Sequence, residues 1–390
     1  MSLRTARTTA VALVTAATFT DIVAYSIAVP VLPDLSRRLG ASPTMIGLLF
    51  GSFGVTLLTV SVPMGAVSDR VGRKSPMLTG LVALAASTLL FAYASSLVPL
   101  FAARMVQGAA DAITWVVGFA LVADLYAPEE RGRVTGVIMG GTSLAYMLGP
   151  SIGGWLYEAG GIRLPFLFVT AMAIITAVGF AWLRVPPAHA DHEPVPIAAL
   201  IGQPEIRRCA IVVFLIAATI TMFEPIFVLY LQGRLALGPA RIGTLFAGAA
   251  LVNAFLHPVV GRSADRWGPK RLTHIGLFAV AAALLLSAQA WSFWSALVLG
   301  IVQAATFALV ATPSLTYMAD STSRAGVGAF GTAYGFYNMV WGLGLLAGPA
   351  AGGFLFERLR FPMLALVWAA SLAAATLWLT SSRSASTAPR

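Results

Sequence analysis

With a single cysteine, Cys209, in 390 residues, the chain has no partner for an intramolecular disulfide and no thiolate set to hold a metal cluster. Charge is scarce as well. Asp, Glu, Lys and Arg together fill 10% of the positions, against roughly 25% in a soluble domain. No long polar stretch is left over for a soluble catalytic domain, and neither a nucleophile with its base nor a metal-ligand cluster is present, so the reading is not an enzyme. A phosphate loop is missing too: Gly72-Arg73-Lys74-Ser75 breaks the required Gly-Lys-Ser order and no nucleotide domain follows, which argues against an ATP-driven pump. Gly342, Gly344 and Gly348 miss dinucleotide spacing and lie in an apolar run, so they read as packing positions. No cofactor or metal is expected. The polar tail beyond Ser381 is too short to serve as the output domain of a sensor.

What is abundant is apolar surface. Hydrophobic residues fill 58% of the chain, more than a soluble fold can cover, and a membrane-spanning helix needs about 20 mostly apolar residues. Twelve such stretches are found, at 10–33, 43–67, 76–95, 97–125, 134–158, 163–184, 208–232, 240–262, 272–290, 293–319, 327–356 and 361–381. The fold class expected is therefore an all-α membrane protein of twelve transmembrane helices. The first run, preceded by Arg4 and Arg7, continues past Asp21 to Leu32, which is longer than a signal-peptide core, so it is read as a span.

The formal net charge of +10 does not point to nucleic acid, because the basic residues sit in short loops rather than on one soluble face. With the N-terminus inside, the cytoplasmic segments carry 17 Lys and Arg, the outer loops carry 7, and Arg104 lies within a span. That bias places both termini in the cytoplasm of a multi-pass protein of the cell membrane, expected to be the bacterial inner membrane. Lipid is then a standing partner, and a monomer is expected.

The chain repeats itself. Ser42-Pro43-x-x-Ile46-Gly47-x-x-Phe50 returns as Gly238-Pro239-x-x-Ile242-Gly243-x-x-Phe246, and Asp69-Arg70-x-Gly72-x-Lys74 returns as Asp265-Arg266-x-Gly268-x-Lys270. Gln107 likewise meets Gln303, and Asp124 meets Asp320, all at a shift of 196. At a shift of 199, Gly149-Pro150-x-x-Gly153-Gly154 answers Gly348-Pro349-x-x-Gly352-Gly353, and Glu158 answers Glu357. Two six-helix bundles follow, 1–184 and 208–390 with its short tail, joined by a proline-rich cytoplasmic linker at 185–207. Parallel repeats of this kind are associated with alternating access around a midplane site.

Acids inside the spans are the candidate functional residues. Asp21 lies in the first span, Asp111 in the fourth and Glu224 in the seventh. A charged side chain at such depth costs at least roughly 2.5–3.5 kcal/mol, so it marks a functional pathway by default. Arg104, two helical turns before Asp111, either tunes that acid, shuttles a proton or simply neutralises it. These four are the proton-coupling candidates. Aromatic residues follow the acids at helical spacing: Tyr25 after Asp21, Trp115 after Asp111 and Phe227 after Glu224, with Tyr334, Asn338 and Trp341 on one face of the eleventh span. Together with Asp21, Glu224 and Tyr146 they form the candidate substrate-binding set, since an acid beside aromatic faces suits a lipophilic cation. Helix packing is the alternative reading of each ring alone. His257, beside Pro258, could titrate or simply make a structural hydrogen bond.

The loop Gly65-Ala-Val-Ser-Asp69-Arg70-Val-Gly72-Arg73-Lys74, together with Arg104-x-x-Gln107-Gly108 and Gly149-Pro150-x-x-Gly153-Gly154, resembles the signature set of the major facilitator superfamily over essentially the whole chain. The last of these resembles the motif of its proton-coupled antiporters. Asp21 ahead of Ala28-Val29-Pro30-x-Leu32-Pro33, Glu130-Arg131-Gly132-Arg133 and Glu224-Pro225 add a similarity to the drug:proton antiporter family, including its vesicular monoamine branch. The resemblance implies that the acids matching Asp21 and Glu224 serve amine binding or proton coupling. It also implies that Asp69, Arg73 and Asp124 latch the inner gate, with Gly65, Arg70, Gly72, Lys74, Gly149, Pro150, Asp265 and Arg266 as further gating positions. Phe53, Ala308 and Asn338 stand where the monoamine branch carries charge, and Asp111 is an addition. Gly136, Gly140, Gly153 and Gly154 are expected to let helices approach closely.

The expected function is secondary active transport: protons exchanged for an amphipathic, cationic organic compound by alternating access. A neutral cargo such as a sugar or amino acid, exported or taken up with protons, is the alternative.

Overall fold

The computed structural model describes residues 3–126, 128–183, 201–324 and 330–381, apart from some side chains inside the helices. Among these residues there are helices and no strands. They are α1 (Leu3–Arg38), α2 (Pro43–Val71), α3 (Lys74–Ala92), α4 (Leu97–Leu125), α5 (Pro128–Gly160), α6 (Arg163–Trp182), α7 (Pro204–Leu235), α8 (Pro239–Trp267), α9 (Pro269–Ser287) and α10 (Phe293–Arg324). The last helical stretch, Phe330–Ser381, breaks at Arg360 (φ 57°, ψ 169°) into α11 (330–359) and α12 (361–381). These helices overlie the twelve apolar runs and extend several of them by a turn into polar residues, as α1 does to Arg38. Ten of the helical segments are long and apolar enough to cross a membrane, the stretch Phe336–Ser381 holding two helices. α5 is not among them, because its glycines, serines and threonines dilute its apolar content.

Local chemistry sets the ends. Proline opens α2, α7 and α9, where its missing N–H has no partner to lose, and the Ser42 hydroxyl accepts the Met45 N–H at 3.3 Å to cap α2. Turns that need a positive φ recur with the repeat. Gly40 (φ 81°) and Ala236 (φ 51°), Gly72 (φ 82°) and Gly268 (φ 84°) stand 196 residues apart, and Gly161 (φ 70°) and Arg360 (φ 57°) stand 199 apart. Duplication is thus written into the backbone at positions where side-chain identity has drifted.

The chain divides into two units, one comprising 1–192 with 238–247 and the other 193–237 with 248–390. Residues 185–200, most of the expected linker, lie outside the described residues, as does Arg184. In the first unit α1 packs on α5 and α2 on α4; in the second α7 packs on the α11–α12 stretch and α9 on α10. Small residues make these contacts possible. A methyl group on Gly149 would collide with the Ser26 hydroxyl, and one on Gly153 would sit 2.9 Å from the Ile27 carbonyl oxygen. In the second unit a methyl on Gly344 would lie 2.5 Å from Ala217 Cβ, and one on Gly348 would strike the Ala218 carbonyl. Within the first unit, Gly154 and Gly243 bring α5 against the 238–247 segment, where the Ser151 hydroxyl donates to the Gly243 carbonyl at 3.0 Å. Gly136 and Gly140 are different from the expectation for them: an added methyl meets nothing among the described atoms within 4 Å.

Candidate functional site

In the first unit α1 and α4 run side by side and bring their acids together. Asp21 is 1% exposed. Its Oδ2 accepts the Trp115 indole Nε1–H at 3.2 Å and the Thr114 hydroxyl at 3.4 Å. The Thr114 hydrogen is better placed on the Asp111 backbone carbonyl at 3.0 Å, so the indole is the firmer donor. The Asp111 carboxyl lies within hydrogen-bonding range of Asp21. Neither carboxylate has a hydrogen of its own to donate, so a proton on one of the two is what would let it bond to the other.

Arg104 stands two turns along α4 from Asp111 and is fully buried, and its positive charge acts on that carboxyl. Its Nη1–H donates to Gln107 Oε1 at 2.7 Å, one turn away on the same helix. Three rings from α1 and α2 surround the guanidinium, with Cζ 5.0 Å from the centroid of Tyr25, 4.5 Å from Phe50 and 5.3 Å from Phe53. Cation–π attraction of this kind is strongest when, as here, water is excluded. Tyr25 also meets Phe53 edge-on at 5.4 Å and Tyr146 of α5 at 6.2 Å. Tyr146 is exposed and Trp115 half-buried against Phe119. α4 approaches α2 closely because Gly108 has no side chain: a methyl there would strike the Phe53 carbonyl and lie 2.5 Å from Thr56 Oγ1.

The first unit therefore gathers Asp21, Tyr25, Arg104, Asp111, Trp115 and Tyr146. Phe50, marked in the sequence only as a repeat position, and Thr114, which no motif marks, join them. Phe53, noted only for standing where a relative carries charge, supplies a face to Arg104 instead. The i, i+3 spacing of Arg104 and Gln107 was the available signal for the hydrogen bond between them.

In the second unit Glu224 is half-buried on α7. Phe227 is fully buried in an aromatic stack with Phe223 (4.5 Å) and Phe361 (5.8 Å), a packing position. Trp341 stacks on Tyr337 at 6.1 Å, and Asn338 is exposed. The Tyr334 side chain lies outside the described residues, as does that of Asp265. His257 Nδ1 and the Thr312 hydroxyl are 2.6 Å apart.

Charge clusters hold the loop ends. Arg73 is 4% exposed and bridges Asp69 (Nη1 to Oδ1, 2.5 Å) and Asp124 (Nε to Oδ2, 2.8 Å), with Ser68 accepting a further hydrogen bond at 2.6 Å. Burial works against the charged guanidinium, but the hydrogen bonds to Asp124 and Asp69 more than offset it and hold Arg73 above the usual arginine value. Gly72 supplies the positive φ that turns the chain into this bridge, and Lys74 Nζ donates to the Ala181 carbonyl at 2.6 Å. Arg70 is exposed, and a methyl on Gly65 would make only an ordinary 3.8 Å contact with Val116. In the second unit the corresponding loop uses other residues. Lys270 Nζ meets Glu205 Oε2 at 2.5 Å, Arg208 meets Glu205 Oε1 at 2.6 Å, and the Tyr317 hydroxyl donates to Glu205 Oε2 at 3.1 Å. Arg266 is exposed. No group of His, Cys, Asp and Glu able to hold a metal ion occurs among the described residues.

Comparison with known proteins gives a consistent picture. Residues 14–206 and 209–390 match the family described as Major Facilitator Superfamily. The synaptic vesicular amine transporter of Homo sapiens is 25% identical over 337 residues, covering 85% of this chain, which spans 65% of that relative's length. Multidrug resistance protein 1 of Bacillus subtilis (strain 168) is 26% identical over 345 residues, 87% of each chain. Among solved structures, a bacterial homolog of the human lysosomal transporter Spinster superimposes with a TM-score of 0.83 at 15% identity, covering 95% of this chain and 96% of the other. The nucleoside transporter NupG gives a TM-score of 0.78 at 13% identity, covering 95% and 98%. These two show the fold alone.

Proposed function

The chain belongs to the major facilitator superfamily and is a membrane transporter rather than an enzyme, and from that premise we propose that it exchanges protons for an amphipathic organic cation, with Asp21 and Asp111 as the point of exchange. The observation that carries this reading is the contact between those two carboxyl groups beside a buried Arg104. With one proton on the pair, one remaining negative charge balances the guanidinium and the cluster is neutral. Loss of that proton leaves an uncompensated negative charge in a low-dielectric interior, which is unstable until a cation arrives. Proton and cationic cargo thus exclude one another. That exclusion is what couples their movements as the site alternates between the two sides of the membrane.

The rest of the cluster fits the same cargo. The indole of Trp115 and the exposed ring of Tyr146 offer faces to an organic cation beside the acids. Arg104, enclosed by Tyr25, Phe50 and Phe53, keeps its charge fixed near Asp111 whatever the cargo. Glu224 supplies a third intramembrane carboxyl, in the other unit. Similarity to proteins named as amine transporters and as a multidrug resistance protein supports a cationic, amphipathic cargo and export as the direction. The bias of basic residues supports both termini being cytoplasmic, and the membrane is read as the bacterial inner membrane.

Reconstituted protein under an imposed pH gradient tests the reading, with a fluorescent lipophilic cation and a neutral sugar as cargoes. Gradient-driven movement of the cation, with proton counterflow, is the expected result. Exchange of the sugar with no response to the cation would overturn the cargo class, and cation movement indifferent to the gradient would overturn the coupling.

A further inference from the structure

The second unit carries a cavity of about 500 Å³ at the end where α7 begins and α12 finishes, well away from Glu224 in sequence and in chemistry. Its lining comes from Trp267 at the end of α8, the start of α9, the end of α10 and Thr380 of α12. Lys270, Arg271 and His274 give it a basic rim, and Asp320 is the acid in the lining. In the lining Lys270 and Arg271 outnumber the one acid, Asp320, before His274 is counted. Among the described side chains Arg271 enters no ion pair, and it is exposed.

Below that rim the surface turns apolar. Arg271, Ile275 and Phe278 follow one another at i, i+4 and i+7, so they lie on one face of α9, and Ile275 and Phe278 are both exposed. Trp267, in the same lining, is 63% exposed, as suits an indole at the level where a bilayer's polar and apolar zones meet. A basic rim above an apolar track on a helix long enough to span a membrane matches a molecule with a phosphate at one end and a hydrocarbon chain at the other.

We propose that this cavity binds one anionic phospholipid, with its headgroup phosphate against Arg271, His274 and Lys270 and an acyl chain along Ile275 and Phe278. The proposal is independent of the exchange mechanism, since the lining includes none of the residues assigned to proton or cargo.

Native mass spectrometry of the full-length chain in mild detergent tests it. The titrants are phosphatidylglycerol, phosphatidylcholine of the same acyl chains, and free glycerol phosphate. Phosphatidylglycerol is expected to bind more tightly than phosphatidylcholine. Arg271→Ala is expected to weaken phosphatidylglycerol alone, by about fivefold for the loss of one basic residue, and Arg271→Lys to retain binding. Equal affinity for the two lipids, or an Arg271→Ala His274→Gln variant that binds phosphatidylglycerol as the parent does, overturns the assignment. So does displacement of the lipid by glycerol phosphate at comparable concentration, which would make this a site for soluble phosphates. A photoreactive residue at Ile275 fixes the location: preferential cross-linking to labelled phosphatidylglycerol supports the acyl-chain track, and none above the phosphatidylcholine level defeats it. An unchanged melting temperature of Arg271→Ala in lipid-free detergent excludes misfolding as the cause of lost binding.

Discussion

Arg73 Nε lies 2.8 Å from Asp124 Oδ2, so a guanidinium from the loop between α2 and α3 is fixed to the end of α4 with almost no water around it. Truncation by Arg73→Ala would leave the largely buried Asp124 carboxylate and the buried Ser68 hydroxyl without their donor, which costs roughly 3–5 kcal/mol when a buried pair is broken. Arg73→Lys should recover only part, because an ammonium cannot hold Asp69 and Asp124 with a planar fork. The stability from a group held above its ordinary value is fully present below the unfolded-state value and is lost only as pH rises through the folded one. For arginine both lie beyond the working range, so the melting-temperature gap between Arg73→Ala and the parent should stay constant from pH 6 to 9. A gap that closes with rising pH in that window would contradict the bridge.

If Asp21 and Asp111 hold one proton between them, they act as a unit. Asp21→Asn and Asp111→Asn should each reduce gradient-driven exchange by about tenfold or more. The double variant should be little worse than either, since residues that act together show strongly non-additive losses. Initial rates of cation exchange in proteoliposomes decide this. Additive losses, with the double variant as slow as the product of the two single effects, would show two separate roles.

Helix positions were legible in the sequence because lipid imposes one simple rule, a run of about 20 apolar residues, and the acids were legible because hydrocarbon makes them conspicuous. Partnership was harder to read. Asp21 and Asp111 stand out one at a time, and nothing in a linear pattern says that α1 and α4 bring their carboxyls together. The rings around Arg104 come from α1 and α2, so the cage exists only once three helices have packed. Glu205 escaped notice for a related reason: the repeat pointed to Asp265 and Arg266, whereas Lys270 pairs with an acid at the start of α7 that has no counterpart in the shifted motifs. Duplication preserves backbone geometry longer than it preserves who pairs with whom.

Glycine substitutions should separate close packing from mere composition. Gly108→Ala places a methyl on the Phe53 carbonyl, which is backbone and cannot swing aside, so this variant should lower the melting temperature sharply or abolish expression. Gly136→Ala meets nothing among the described atoms and replaces a poor helix former, so it should be neutral or stabilising by up to ~1 kcal/mol. Size-exclusion profiles and thermal unfolding of the two variants provide the check. Equal damage from both would mean that glycine acts there through flexibility and not through space.

Two turns carry side chains where the repeat's other copy carries glycine. Ala236 (φ 51°) and Arg360 (φ 57°) take the positive φ that Gly40 and Gly161 take in the first half; Ala236, with ψ 34°, lies in the left-handed helical region, which is unfavourable by roughly 1–2 kcal/mol for an L-residue with a Cβ. Ala236→Gly relieves that strain while adding freedom to the unfolded chain, so the net gain should be smaller, about 0.5–1 kcal/mol. The reverse change, Gly40→Ala, should destabilise by a similar amount, because a methyl there has space among the described atoms and only the backbone conformation opposes it. Opposite signs at 40 and 236, read as melting temperatures in the same detergent, would establish that the two turns are copies of one backbone. Destabilisation by Ala236→Gly would show instead that the methyl makes a contact worth more than the strain it carries.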